Sequence, residues 1–196
     1  MESRLGGWIK TGSFALRSFC LVHVIHNHFY EFTGTRGESM LPTLAATDDY
    51  VHALKLYRDG RGLTIGDCIV AAKPTDPYQR VCKRITGMPG DIILVDPSAC
   101  VNGNPGSIKG KASRSGEDSL EAEPFNSFIK VPPGHVWVTG DNLAQSLDSR
   151  TYNSLPMGLI KGKIVAANDF NQPLWENGKV LGFRKIKNIY VDEIAK

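Results

Sequence analysis

The chain has 196 residues, with 23 lysines and arginines against 20 aspartates and glutamates, for a formal net charge of +3. Hydrophobic residues make up 41% and charged residues 22%, which excludes a disordered chain and supplies enough apolar material for a core. Charge this nearly balanced does not mark nucleic acid as a partner, whereas 20 glycines and 11 prolines favour a turn-rich, strand-dominated domain over a helical bundle.

From Phe14 to Phe32 the chain reads FALRSFCLVHVIHNHFYEF, about the length that crosses a bilayer core at ~1.5 Å of rise per residue. Arg17, His23, His26, Asn27, His28 and Glu31 interrupt it, so it is a poor spanning helix on a transfer scale. Its polar groups do not gather on one stripe, which weakens a surface-lying helix as well. It is not a cleaved secretory signal, because the small-residue cleavage site is missing and Arg17 falls inside the would-be apolar region. A membrane anchor and a packing helix are both open readings, with the three histidines facing solvent or headgroups.

After Glu31 the character changes. Thr33–Gly37 is a turn-rich stretch leading into Glu38-Ser39-Met40-Leu41-Pro42-Thr43-Leu44. Short apolar runs then predict strands at Tyr50–Leu56, Cys68–Ala72, Val81–Thr86, Asp91–Val95, His135–Thr139 and Gly162–Ala167, separated by Gly, Pro and Asp clusters. The fold class that follows is mostly β: an antiparallel sheet or barrel-like core behind an N-terminal helix. The expected division is an N-terminal segment over 1–35, a β-rich domain over 36–168 with a mobile loop at 97–126, and a C-terminal extension over 169–196. The four cysteines, Cys20, Cys68, Cys82 and Cys100, form no CxxC and have no complementing histidine pair. Their spacing does not describe a zinc site. One disulfide is compatible with it.

Three segments carry polar groups suited to chemistry. Ser39 stands in a turn ahead of Met-Leu-Pro, where it is either an exposed nucleophile or a turn residue with Pro42 fixing the chain direction. It is no GxSxG elbow. In Val81-Cys82-Lys83-Arg84-Ile85, alternation puts Val81, Lys83 and Ile85 on one face and Cys82 and Arg84 on the other. A lysine between β-branched residues on a core face would lose affinity for its proton and become available as a base. On an edge strand it would instead reach water along its apolar stem. The third segment, Gly140–Arg150, follows HVWVT and concentrates Asp141, Ser146, Asp148 and Arg150 in one loop. Alone, such a loop braces its own turn. Together the three suffice for acyl transfer: an unprotonated lysine takes the serine proton while a second hydroxyl orients the amine.

SMLPTL at 39–44, GDCIV at 66–70, KRITGMPGD at 83–91 and GDNLAQSLDSR at 140–150 resemble, in order, the boxes of the type I signal peptidase family. Those are serine proteases that use a Ser/Lys dyad. The run SLDSRTYNSLPMGLIKGKIVAAND at 146–169 is similar to the mitochondrial inner-membrane branch of that family. The resemblance implies Ser39 as nucleophile, Lys83 as general base, Ser146 holding the Lys83 amine, and Asp148 and Arg150 as a structural ion pair. Asp141 would support the same site, and Met40 would line the substrate face. Many bacterial members place an oxyanion-binding serine two positions before the nucleophile. Here that position is Gly37, so backbone N–H groups would carry more of the oxyanion hole.

The interval between Lys83 and Gly140 is too short for the large extra domain of some bacterial members. The implied activity is removal of hydrophobic sorting sequences from precursor proteins delivered to the intermembrane space, without metal or organic cofactor. The implied setting is the mitochondrial inner membrane, with the catalytic domain facing the intermembrane space, lipid around the Phe14–Phe32 anchor and a related second catalytic subunit as partner. The competing reading is a non-catalytic β-domain that stabilises a partner peptidase. A Ser/Lys transcriptional regulator is the less expected rival, because the stretch before Ser39 is too short for the DNA-binding domain such a protein should carry.

Overall fold

The run Cys68-Ile69-Val70-Ala71-Ala72 is apolar at every position, the pattern of a strand covered on both faces. It forms β3 (Cys68–Lys73), at the centre of the sheet and buried at each of those five residues. Successive side chains point to opposite faces, and each face has its own core. Cys68 and Val70 meet Met40, Leu44, Val51, Ala53, Ile164 and Ala167 on one side. Ile69 and Ala71 meet Leu63, Ile85, Val136, Val138, Leu155 and Ile160 on the other.

The computed structural model describes residues 2–95, 128–176, 178–188 and 190, with only the backbone described for 2–11. The other strands are β1 (Tyr30–Thr35), β2 (Asp49–Leu54), β4 (Asp76–Gly87), β5 (Ile92–Leu94), β6 (Phe128–Lys130), β7 (His135–Thr139), β8 (Leu155–Pro156), β9 (Ile160–Asp169), β10 (Trp175–Glu176), β11 (Lys179–Val180) and β12 (Arg184–Lys185). The main sheet runs β1-β2-β9-β3-β4-β7-β8, with β12 also paired to β9. Its strand pairs are antiparallel. Two hairpin-like pairs, β5–β6 and β10–β11, lie off it. The fold is thus mostly antiparallel β with one long N-terminal helix.

That helix, α1 (Glu2–His28), stops four residues short of Phe32. Tyr30–Thr35 instead pairs along its whole length with β2, because Phe32 and Tyr50 stack across the two strands at 5.3 Å and β-sheet pairing rewards such aromatic partners. Lys55 Nζ donates to the carbonyls of His26 and Asn27 at 3.1 and 3.3 Å, satisfying orphan acceptors at the helix end. Among the described residues, no helix is long and apolar enough to cross a membrane. His23, His26 and His28 are exposed. The expected mobile loop at 97–126 lies outside the described residues.

The predicted strands at 50–56, 68–72, 81–86, 135–139 and 162–167 all appear, most of them longer or shifted by a residue or two. β4 starts at Asp76, five residues before the apolar run, because Arg80 and Asp76 still pair with Ala72 and Lys73 of β3 across a register shift. The tail after Asn168 returns to the sheet: β12 pairs with β9, and Arg184 donates to the fully buried Asp49. Cys20, Cys68 and Cys82 are free thiols.

Candidate active site

Ser39 sits in a 3₁₀ turn, Glu38–Met40, entered through Gly37 at φ 109° and ψ 156°. That left-handed φ favours glycine, so the position two before Ser39 is fixed by backbone geometry. Gly37 N–H donates to the Ala46 carbonyl at 2.8 Å, closing the loop that holds the turn. Met40 points inward, 2% exposed, into the first core cluster. The Ser39 side chain makes no hydrogen bond among the described residues.

Lys83 lies on β4 opposite Ile69 and is 4% exposed. Among the described residues β4 pairs with β3 alone up to Lys83, and β7 joins from Arg84 onward. The Lys83 side chain is nevertheless buried, so it does not reach out to water as a solvated edge lysine would. Ser39 and Lys83 line one cavity of about 170 Å³, together with Met40, Cys82, Val70 and the stretch Thr33–Gly37 that closes β1 and leads to Ser39. Burial pushes the Lys83 amine below the ordinary lysine range. Asp148, Cys82 and Asp141 pull it back up and Arg150 pushes it down, and burial prevails.

The polar loop wraps this pair from behind. Asp148 is fully buried and caps the short helix α2 (Ser149–Tyr152) by accepting from the Arg150 N–H at 3.2 Å. Arg150 grips both its oxygens through Nε at 2.9 Å and Nη2 at 3.2 Å, and its Nη2 also donates to the Leu143 carbonyl at 2.6 Å. Burial alone would raise the Asp148 carboxyl. Hydrogen bonds from the Arg150 side chain and from the Gly140 and Arg150 N–H groups, with the Ser146 hydroxyl close by, outweigh it and hold the group below the usual range. Ser146 Oγ is buried close to Asp148 and, among the described residues, makes no hydrogen bond of full geometry.

Asp141 does something else. It takes a two-pronged grip from Arg84, Nε to Oδ1 and Nη2 to Oδ2, each at 2.7 Å, and accepts from the Thr43 hydroxyl. Arg84 Nη1 reaches the Gly66 carbonyl at 2.7 Å. This cluster ties β4, the turn after Ser39 and the polar loop together. Arg84 and Thr43 were not singled out by the sequence reading, although alternation places Arg84 on the face opposite Lys83. A third residue, Gly140, is read only from space: an added Cβ would lie 2.3 Å from both Ser39 O and Ser146 Oγ. The Asn142 N–H completes the clamp, donating to Ser39 O at 3.0 Å.

Ser39, Met40 and Lys83 thus share a cavity wall, while Ser146, Asp148 and Arg150 form the support behind it and Asp141 braces from the far side of β4. Among the described residues no group of three or more His, Cys, Asp and Glu side chains could hold a metal ion. The arrangement offers an unpaired hydroxyl and a buried amine with a weakened hold on its proton in one cavity. Those are the kinds of group that hydroxyl activation requires.

The model of the family described as signal peptidase, peptidase S26, matches residues 8–168. The chain is 59% identical over 191 residues to mitochondrial inner membrane protease subunit 1 of Saccharomyces cerevisiae, covering 96% of this chain and 95% of that one. It is 43% identical to the Schizosaccharomyces pombe protein of the same name, over 74% of this chain and 77% of that one. It is also 29% identical to mitochondrial inner membrane protease subunit 2 of Saccharomyces cerevisiae, over 72% of this chain and 69% of that one. The extent of the family match and the identity to these relatives agree: the chain belongs to the signal peptidase family, peptidase S26.

Proposed function

We propose that the protein is a membrane-bound serine endopeptidase that removes hydrophobic sorting sequences from proteins delivered to the mitochondrial intermembrane space. The observation that carries the reading is the shared cavity of Ser39 and Lys83, with the amine buried and its proton weakly held. Ser39 Oγ attacks the scissile carbonyl while neutral Lys83 accepts its proton, and the protonated lysine then returns a proton to the leaving amine. Water activated by the same amine hydrolyses the acyl-enzyme. Ser146 orients the amine, and the Asp148–Arg150 pair fixes the loop that carries Ser146. With glycine at 37, backbone N–H groups near Ser39 stabilise the oxyanion. The catalytic domain extends over 36–168, and the chemistry needs no metal or organic cofactor.

Two strand edges suggest how substrate is aligned. β1 pairs only with β2, and β4 from Asp76 to Lys83 pairs only with β3, among the described residues. Both edges border the cavity, at Thr33–Thr35 and Arg80–Lys83. An extended precursor segment would fill the gap by main-chain pairing, with small or short polar side chains entering the cavity before the cut.

The names of the similar proteins support an inner-membrane setting and a related second subunit as partner, with the catalytic domain in the intermembrane space and α1 as attachment. The test is precursor processing in mitochondria lacking their own enzyme. Wild type should restore the mature band, while Ser39→Ala and Lys83→Met at equal protein levels should leave full-length precursor. If both variants process normally, the chain is a scaffold and its partner supplies the catalysis.

A further inference from the structure

At the foot of α1 the chain forms a second, open cavity of about 320 Å³, lined by neither Ser39 nor Lys83 and sharing Arg80 with their cavity. Lys55, Arg58, Arg61, Arg80 and Lys161 line it against two carboxylates, Glu31 and Asp59. Glu31 is already engaged by both Lys55 and Arg80. Arg58, Arg61 and Lys161 make no ion pair among the described residues, and all three are exposed. The cavity therefore concentrates uncompensated positive charge. Lys55 registers this: burial and then the neighbouring Arg58 lower its hold on its proton.

Asn27, in the last turn of α1, forms part of the same wall. Immediately before it the helix exposes Phe14, Leu16, Phe19, Leu21, Val22, Val24 and Ile25. Apolar side chains on an unpartnered helix and a cationic pocket at its end match the two layers of a lipid surface, acyl chains and phosphate headgroups. A free phosphate would account for the pocket and leave the helix unexplained.

We infer that this basic pocket binds the phosphate group of an anionic phospholipid where α1 leaves the catalytic domain. The inference rests on the membrane attachment proposed above and goes beyond it by naming the lipid chemistry and the residues that read it. Arg58, Arg61 and Lys161 supply the free donors, and Lys55 and Arg80 set the field. The contact holds the domain at headgroup level and fixes its orientation beside the helix.

The test uses the full chain made by cell-free synthesis with vesicles and read by flotation. Vesicles of phosphatidylcholine alone are compared with vesicles containing about 30% phosphatidylglycerol, where each basic residue near an anionic surface is worth about fivefold in binding. The Arg58→Gln/Arg61→Gln/Lys161→Gln variant should need about a hundredfold more anionic lipid than wild type and should match it on phosphatidylcholine. A variant with the same charge loss elsewhere, Lys130→Gln/Lys179→Gln/Lys185→Gln, should float like wild type, and millimolar inorganic phosphate at fixed ionic strength should not displace wild type.

Equal losses in the two triple variants would reduce the effect to net charge and overturn the pocket. Displacement by inorganic phosphate would make it a free-phosphate site and overturn the lipid assignment. Equal flotation of wild type and pocket variant on both vesicle types would overturn the pocket and leave membrane attachment standing. Absence of flotation on any vesicle would overturn attachment and pocket together. Ser39→Ala carried through the same assay keeps these outcomes separate from the catalytic reading.

Discussion

Gly140 lies so close to Ser39 that a Cβ at position 140 would sit 2.3 Å from the Ser39 carbonyl oxygen. The neighbour there is backbone, so it cannot swing aside as a long side chain would. Gly140→Ala should therefore push the nucleophile's turn away from the polar loop. Overpacking of this kind costs about 1–3 kcal/mol, and misplacement of a reacting group by about 1 Å can cost about 10²-fold in rate. Thermal unfolding and a precursor-cleavage assay on the purified variant check both numbers. A variant with wild-type turnover would show that the clamp does not position Ser39.

Lys83 is held below the ordinary lysine pKa chiefly by burial, so cleavage should rise with pH as the folded-state amine loses its proton, with full activity below the range of a free lysine near 10.4. The stability consequence has a definite sign. The unfolded chain binds this proton more tightly, so the folded state is penalised at pH below the lowered pKa, and stability grows as pH climbs from there toward the unfolded value. Lys83→Met, by removing the proposed general base, should lose roughly 10²–10⁴-fold in rate, yet unfold at higher denaturant than wild type at neutral pH. The gap should shrink toward alkaline pH. Denaturation curves across pH test this, and a less stable Lys83→Met protein at neutral pH would contradict it.

Asp148 behaves in the opposite sense. Its hydrogen bonds hold the carboxyl below the usual range against the cost of burial, so its contribution is present above about pH 4, the unfolded value, and is lost as pH falls through the folded value. Asp148→Asn should destabilise the protein at neutral pH and flatten its acid unfolding. Urea denaturation at neutral and acidic pH should show the difference between wild type and variant narrowing on acidification.

Arg84 and Asp141 make a bidentate pair at 2.7 Å with side-chain exposures of 5% and 13%. Removing one partner of such a pair leaves the other charge buried and costs about 3–5 kcal/mol. Arg84→Lys keeps a charge but cannot reach Asp141 through two nitrogens and the Gly66 carbonyl through a third. It should lose stability measurably in denaturant, and cleavage should fall with it because Thr43, in the segment after Ser39, belongs to the same cluster. Unchanged stability in Arg84→Lys would show that the fork geometry is not needed.

The local pattern of the chain reached far into this molecule. Alternation and turn residues located the strands around residues 51, 70, 84, 137 and 164, since each has branched apolar residues between glycine or proline breaks. The same pattern set Lys83 apart as a cation among core residues. The ordered boxes from Ser39 to Arg150 carried the family, and with it the expected pairing of Ser39 with Lys83.

Other features depend on contacts between residues far apart in the chain. Tyr30–Thr35 has no turn signal before it and extends an apparent helix, and pairing with β2 is what makes it a strand. Asp141 stands in the same loop as Asp148 and reads as its companion, whereas the folded sheet hands it to Arg84. Arg184 looks like one more solvated charge in a polar tail until β12 docks on β9 and brings it to Asp49. The sequence determined the strands of the central sheet around residues 51, 70, 84, 137 and 164 and which side chains could react, because those follow from periodicity and residue chemistry. The tertiary structure decided that the amine is buried, that the cavity is shared and which ions pair, because burial and charge pairing are set by the spatial order of strands.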